Sequence, residues 1–450
     1  MSARAVVLAA GKGTRMRSQR PKVLHEICGR PMLWWVLAAL RSSGVDDIVV
    51  VSNAELDPLL APFGVQTVIQ HEQHGTGHAV RIALDATAPA SGALIVAYGD
   101  MPLVDPAIFT DVLAAATRDA ATALALVTAR MPLPSSFGRI IRGATATGTA
   151  TVERIVEAKD CTPQQLLVDE MNAGIYAYDE PALREAIVRV GNDNAQGEYY
   201  LTDTVELLLG AGRAVVPVGV ADYRSVLGVN DRLELAAANA VLNARLCEQH
   251  MRAGVTIVDP LTTQLEPGVV IGADSIIHPG CTIGGATVIG EDACIGPHVR
   301  LRNATLGAAV RVSESVITDS VVGDRTTVGP FAHLRGGNRV GDDVRIGNFV
   351  ELKKSTLDNG TKAGHLAYVG DAVIGKGVNI GAGVITCNYD GVRKHTTTIG
   401  DDAFIGTNNS LVAPVTIGAG AQTGAGTVVI RDVPPGDKVV GVPGRSILKR

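Results

Sequence analysis

The sequence predicts two folds in series, an α/β layered domain followed by a parallel β-helix, with one long helix between them. Three observations carry this. From about Val269 an aliphatic residue followed by glycine returns every six residues, which is the period of a parallel β-helix. The first half instead alternates short apolar runs with helix-like stretches, the pattern of βαβ units. Between the two, residues 231–250 place Leu233, Leu235, Val241, Leu242 and Leu246 among helix formers, with Asn230 as a suitable cap. The expected divisions are therefore 1–226, a helical linker at 227–250, and 251–450.

In chain order, strands are expected at Ala5–Leu8, Ile48–Val51, Val65–Ile69, Leu94–Ala97 and Leu124–Val127, and helices at Met32–Arg41 and Gly77–Leu84. Together they imply a largely parallel sheet covered on both faces, with ligands beyond the carboxyl ends of its strands. Farther on, Ile271-Gly272, Ile289-Gly290, Val322-Gly323, Ile346-Gly347, Ile380-Gly381 and Ile417-Gly418 mark the hexads. Each aliphatic residue points inward, and three hexads close one triangular coil. The glycine beside it relieves the turn, where a Cβ would crowd the corner or forbid positive φ. The rhythm breaks at 297–321, 355–373 and 386–398. Insertions in such solenoids leave the core as loops and often carry the binding site.

Bulk numbers narrow the function. A chain of 450 residues exceeds one ordinary domain, and 46% hydrophobic content supplies real cores without any apolar run of membrane-spanning length. The start runs directly into Arg4-Ala5-Val6-Val7-Leu8, a first strand rather than a signal peptide. A net charge of −5 with both signs interspersed argues against nucleic acid as the main partner. The six cysteines lack CxxC pairs, which suits idle thiols in a reducing cytosol and a cytoplasmic location.

Three clusters in the first half carry chemistry. The turn Leu8-Ala9-Ala10-Gly11-Lys12-Gly13 lets backbone N–H groups approach phosphate oxygens, and Arg15 and Lys22 add positive charge for a triphosphate. Alone, such a turn is weak evidence. Gln70 and then Gly75-Thr76 stand at a helix start, where an amide and a hydroxyl can meet the edges of a base, or where Thr76 simply caps the helix. His74 and His78 are four apart, but without a third ligand they read as surface or packing residues. Tyr98-Gly99-Asp100 follows a central strand. There a carboxylate with glycine beside it suits Mg²⁺, which takes one or two protein oxygens plus phosphates and water. Asp100 is the first candidate ligand and Asn230 the second. The wording G-x-G-T-R-M followed by Pro21-Lys22 resembles the signature of sugar-1-phosphate nucleotidylyltransferases. Gly138, Glu157, Asn172 and the stretch Asn194–Asp203 extend that pattern.

In the second half, His365 lies within one rhythm break, near Arg335, Lys353 and Tyr368, a cationic, hydrogen-bonding group suited to a sugar phosphate. A histidine can deprotonate an ammonium before the amine attacks a thioester. Both halves together resemble the bacterial family of bifunctional N-acetylglucosamine-1-phosphate uridylyltransferases/glucosamine-1-phosphate N-acetyltransferases, over essentially the whole chain. The resemblance implies a Rossmann-like nucleotidylyltransferase domain, a left-handed parallel β-helix, and a homotrimer with acetyl sites between subunits. It also implies two co-substrates, UTP and acetyl-CoA, with Mg²⁺ held by Asp100 and Asn230. Leu8, Ala9, Ala10, Gly11, Lys22, Gln70, Gly75 and Thr76 would bind UTP. Tyr98, Gly99, Gly138, Glu157 and Asn172 would surround the sugar nucleotide, with Arg15 and Lys22 promoting the transfer. Arg335, Lys353, Tyr368, Asn379, Asn388 and Tyr389 would hold glucosamine-1-phosphate, with His365 as base. Ala382, Thr407 and Ala425, with Asn388 and Tyr389, would line the acetyl-CoA groove. Two departures stand out: Thr407 replaces a common serine, and Gly441 stands where the family often has an arginine, with Arg445 as a possible substitute.

Overall fold

The computed structural model describes residues 3–89, 92–144 and 150–441. The chain divides into two compact units, Met1–Val241 and Leu242–Arg450.

The first unit is built on strands β1 (Arg4–Leu8), β2 (Asp47–Ser52), β3 (Gln66–Ile69), β4 (Ala93–Tyr98), β5 (Thr122–Arg130), β6 (Arg139–Ala144), β7 (Ala150–Val156), β8 (Glu170–Asp179) and β9 (Ala214–Val220). Their order in space is β9-β5-β8-β4-β1-β2-β3, with β6 and β7 as a hairpin beside β8. β2 and β4 flank β1 in parallel, whereas β8 runs antiparallel between β4 and β5. Period-two alternation divides the strands between two cores. Ala5, Val7, Val50 and Ile95 pack with Leu33, Val36 and Phe109 of helices α1 (Met32–Ser42) and α3 (Pro106–Thr117). Val6, Val49, Leu94 and Val96 pack with Val80, Leu183 and Val205 of α2 (Thr76–Asp85), α4 (Glu180–Ile187) and α5 (Thr204–Gly210). From β1 the chain builds first to one side (β2, β3) and then to the other (β4). The carboxyl ends of β1 and β4 are therefore the switch point at which such sheets bind ligands.

The linker helix α6 runs over Arg232–Arg252. Its cap is not Asn230. Asp231 Oδ1 accepts from the N–H groups of Leu233 and Glu234, both at 2.9 Å, while the Glu234 carboxylate reaches back to the Asn230 N–H at 2.6 Å. With the cap taken by its neighbour, the Asn230 side chain is available elsewhere.

The second unit is a β-helix of three parallel sheets. Face one runs from Thr256–Ile257 to Lys438–Val439, face two from Gln264–Leu265 to Val428–Val429, and face three from Val270–Ile271 to Val415–Ile417. One inward residue per strand stacks on the next, as in Ile271, Ile289, Leu306, Val322, Val340, Leu357, Ile374, Ile399 and Ile417 on face three, all buried. The glycines after these aliphatics answer crowding rather than positive φ. A Cβ on Gly290 would lie 2.6 Å from the carbonyl carbon of Gly307 in the next coil. The left-handed residues lie elsewhere in the coils, and besides glycines such as Gly383 and Gly420 they include Asp274, Asp292, Asp343 and Asn408. Gly290→Ala should accordingly cost about 1–3 kcal/mol of stability, measurable by thermal unfolding.

Two of the three rhythm breaks are not loops. Arg300 pairs with Val316 and Thr356 with Val373, so these coils are shorter than eighteen residues and stay in register by losing corner residues. Only 386–398 is an insertion: Val373 pairs with Thr398, twenty-five residues on. It closes as a small hairpin with Tyr389 bridged to Lys394. Among the described residues no helix is long and apolar enough to cross a membrane. No disulfide joins the cysteines, and Cys28, Cys247 and Cys281 are buried.

Candidate active sites

At the switch point two adjoining cavities open. The larger, about 350 Å³, is lined by Leu8, Ala9, Ala10, Gly11, Lys22, Gln70, Gly75 and Thr76, and also by Gly13, Thr14, Gln73 and Glu198. The smaller, about 230 Å³, is lined by Gly138, Glu157, Asn172 and Gly174, with Ser136 and Phe137. Arg15, Tyr98, Asp100 and Asn230 belong to both walls. A charged junction thus joins a nucleotide-sized lobe to a sugar-sized one.

Local conformation builds the larger lobe. A Cβ at Gly11 would meet nothing within 4 Å, which leaves the turn open toward the cavity. Gly13 has φ of 58° and its Cβ would lie 2.5 Å from Lys22 Cβ, so glycine there seats the lysine. Gly75, with φ of 103°, starts α2 against Tyr199, whose carbonyl accepts from the Gly77 N–H at 2.8 Å. The Thr76 hydroxyl accepts from the Leu201 N–H at 3.1 Å, tying the 194–203 stretch to this turn. Gln70 Nε2 donates to the Gly75 carbonyl at 3.3 Å and lies 3.2 Å from His78 Nδ1. His74 pairs with Glu72. The two histidines serve packing and local polarity.

At the junction, oxygens converge on positive charge. Lys22 Nζ lies 2.5 Å from Asp100 Oδ2 and 2.7 Å from Asn230 Oδ1, and an Arg15 guanidinium nitrogen is 2.9 Å from the same Asn230 oxygen. The Val229 N–H donates to the Asp100 carbonyl at 2.9 Å, which fixes the two segments to each other. One carboxylate and one amide oxygen facing a shared cation suit Mg²⁺ with phosphate and water completing its shell. Among the described residues no group of three or more His, Cys, Asp or Glu could hold a metal by itself. Gly99 lines neither cavity. Its N–H bonds the Leu8 carbonyl at 2.9 Å and its Cβ would lie 3.1 Å from Leu33, so it serves close packing of β1 and β4.

In the smaller lobe, burial pushes the Glu157 carboxyl upward, opposed by a hydrogen bond from Thr202 at 3.2 Å and reinforced by Asp203, Asp160 and Glu198. Burial, then Glu157 and Asp100, raise the Tyr98 phenol above its ordinary value, so it stays protonated as a donor. Gly174 has φ of 75° and its Cβ would lie 2.4 Å from the Tyr98 ring. Gly174→Ala should therefore displace Tyr98 from the wall shared by both cavities and cost about 1–3 kcal/mol of stability, measurable by thermal unfolding.

In the second unit, His365 ends the face-one strand Lys362–His365 rather than sitting in an inserted loop. Registers Ile346–Ala363–Ile380–Ile405–Thr423 place Asn348, His365, Ala382, Thr407 and Ala425, each two residues on, along one corner. His365 Nδ1 is 2.6 Å from Asn348 Oδ1. Facing an acceptor oxygen, Nδ1 carries the hydrogen and Nε2 keeps its lone pair. Around the corner on face two, Arg335 pairs with Lys353 in register, and Tyr368 follows in the next coil. Lys394 depresses the Lys353 ammonium, with Arg335 adding to the effect and Asp371 opposing it. Arg335 is also ion-paired with Glu351 at 2.8 Å, and an anion would relieve the repulsion among the remaining like charges. Asn388 Nδ2 donates to Asp371 at 2.5 Å, while Tyr389 is exposed and its hydroxyl donates to the Gly391 carbonyl at 2.5 Å. Asn379 is not part of the face-two group; it pairs with Lys362 and Phe404 on face one. Asn348, Asp371 and Lys394 are additions to the expected set. Gly441 is the last described residue, and Arg445 lies outside them.

Comparison with known proteins agrees with both halves. Residues 5–162 match the MobA-like NTP transferase domain, 265–348 the GMPPB C-terminal domain, and 396–431 the bacterial transferase hexapeptide repeats, consistent with a left-handed β-helix. The chain is 45% identical over 96% of its length to the bifunctional protein GlmU of Halalkalibacterium halodurans, covering 94% of it. It is 46% identical to that of Brevibacillus brevis over 96% of the chain and 93% of the relative. For the protein of Streptomyces avermitilis the figures are 44%, 97% and 91%.

Proposed function

Since this chain belongs to the family of bifunctional GlmU proteins, we propose which of its residues perform each of the family's two reactions. The chain is a bifunctional enzyme of UDP-N-acetylglucosamine synthesis. It acetylates glucosamine-1-phosphate with acetyl-CoA in the β-helix, and it couples N-acetylglucosamine-1-phosphate to UTP in the α/β unit, releasing pyrophosphate.

The observation that carries the assignment of the first unit is the Arg15–Lys22–Asp100–Asn230 junction between two lobes. UTP takes the larger lobe, its base against Gln70 and Gly75-Thr76 and its phosphates against the turn at Gly11. The sugar takes the smaller lobe, with Glu157 and Asn172 on its hydroxyls and the Gly138 amide beside it. The sugar phosphate oxygen then faces the α-phosphorus at the junction and attacks in line as pyrophosphate leaves. The attacking phosphate is already anionic, so no general base is required. Arg15 and Lys22 neutralise charge that spreads over the phosphoryl oxygens, and positioning supplies much of the rest. Mg²⁺ bound by Asp100 and Asn230 would supply further neutralisation of the triphosphate.

In the second unit the phosphate of glucosamine-1-phosphate sits among Arg335, Lys353, Tyr368 and Lys394, with Asn388 and Tyr389 around the amine. Acetyl-CoA lies along the corner of Ala382, Thr407 and Ala425. His365 stands at one end of that corner with Nε2 open, placed to take a proton from the ammonium. The neutral amine attacks the thioester carbonyl, and coenzyme A leaves as the thiolate. A homotrimer fits this geometry. The residues for acetyl-CoA line up along one corner of the β-helix. Phe331, Phe349 and Leu366, the left-handed residues of the same corner, are 53%, 54% and 61% exposed, an apolar ridge that a second copy would cover. Both substrates and products are metabolites of the cytoplasm, where we place the enzyme.

Truncation tests the division. Residues 1–230 alone should retain uridylyl transfer and lose acetyl transfer. Extending the fragment to 241 should raise its melting temperature, because Glu234 braces Asn230 and Asn239 Oδ1 accepts from the Cys28 N–H at 2.9 Å. Acetyl transfer by either fragment would overturn the assignment.

A further inference from the structure

Strand β8 is irregular where it passes the sugar lobe. Its pairing with β5 shifts between Asn172 and Tyr176, and Gly174 within the irregularity has φ of 75°. A bulge beside a cavity re-aims a side chain, and here the re-aimed side chain is Asn172, a lining residue of the smaller lobe. Two contacts then lock its carboxamide. Asn172 Nδ2 donates to the Tyr176 hydroxyl at 2.7 Å, and Asn172 Oδ1 accepts from the Gly174 N–H at 3.2 Å. Tyr176 is fully buried, so no water can replace its hydroxyl as the partner. One Nδ2 hydrogen and one Oδ1 lone pair remain to face the cavity.

We propose that Tyr176 is a positioning residue for the sugar phosphate: its buried hydroxyl spans the bulge and holds the Asn172 carboxamide in the orientation that reads the sugar. The inference rests on the placement of the sugar phosphate in this lobe. Tyr176 touches no substrate and acts through Asn172 alone. Its contribution is to binding rather than to the chemical step, since Asn172 meets the sugar equally before and during transfer.

The test uses the full-length enzyme with UTP, Mg²⁺ and N-acetylglucosamine-1-phosphate. Tyr176→Phe should raise KM for the sugar phosphate about three- to tenfold, the span of one hydrogen bond, with kcat, KM for UTP and acetyl transfer unchanged. A general structural defect would move KM for UTP as well, and that result would overturn the proposal, as would an unchanged KM for the sugar phosphate. The double variant Asn172→Ala/Tyr176→Phe leaves neither group unpaired and remains informative if the single phenylalanine variant does not fold. It should match Asn172→Ala alone, and a further loss in the double variant would contradict positioning through Asn172. If Asn172→Ala itself leaves KM for the sugar phosphate unchanged, the placement of the sugar fails, and the inference with it. If Asn172→Ala raises that KM and Tyr176→Phe does not, only the positioning role fails.

Discussion

Asp100→Ala is expected to abolish uridylyl transfer while acetyl transfer stays near the wild-type rate. The carboxylate stands at the carboxyl end of β4, at the switch point, 2.5 Å from Lys22 Nζ. Its loss removes one of two oxygens that converge at the junction and leaves Lys22 and Arg15 sharing the single Asn230 oxygen. Both the metal and the phosphates then lose alignment, an effect of roughly 3 kcal/mol or more on the barrier. The check is pyrophosphate release at saturating UTP and Mg²⁺, run beside thiol release from acetyl-CoA. Wild-type pyrophosphate release would remove Asp100 from the metal site.

His365→Ala should lower acetyl transfer about 10²- to 10⁴-fold, the usual size of a general-base contribution, with uridylyl transfer unaffected. The imidazole is exposed at the head of the corner that carries Ala382, Thr407 and Ala425, and Asn348 directs its Nε2 lone pair outward. Higher pH should partly rescue the variant, because more of the substrate amine is then already neutral. A merely structural histidine predicts a lower melting temperature, loss of the oligomer and no rescue. Acetyl transfer across pH 6–9, measured beside thermal unfolding, separates the two. Asn348→Ala should show a smaller loss of the same kind.

Much of the fold was legible because its signals are periodic. The aliphatic column on face three holds phase through coils of different length, so the β-helix survives the rhythm breaks that looked like loops. What the period could not show was that a coil can shed corner residues, as between Arg300 and Val316, and still stack. Antiparallel β8 was invisible for a similar reason: a buried strand reads alike in either direction. The helix cap went to Asp231 rather than Asn230 because both residue types cap well and only geometry chooses.

Site residues were legible where they cluster along the chain, as in the turn at Gly11 or the run from Tyr98 to Asp100. Residues whose role depends on contacts distant in sequence were not. Thr202 reaches Glu157 across the fold, Asn348 reaches His365 from the coil before it, and Tyr176 matters only because β8 bulges. Gly99 shows a further case, a motif glycine that packs closely against Leu33 and bonds the Leu8 carbonyl, contacts that the motif alone does not reveal.

The most direct test mixes the purified enzyme with glucosamine-1-phosphate, acetyl-CoA, UTP and Mg²⁺ and follows the products together. The account predicts free thiol, pyrophosphate and UDP-N-acetylglucosamine, with the sugar nucleotide absent when acetyl-CoA is withheld. Restoring N-acetylglucosamine-1-phosphate in place of glucosamine-1-phosphate and acetyl-CoA should recover it. Thiol release without the sugar nucleotide, or the sugar nucleotide from N-acetylglucosamine-1-phosphate without any acetyl transfer, would contradict two working sites in one chain.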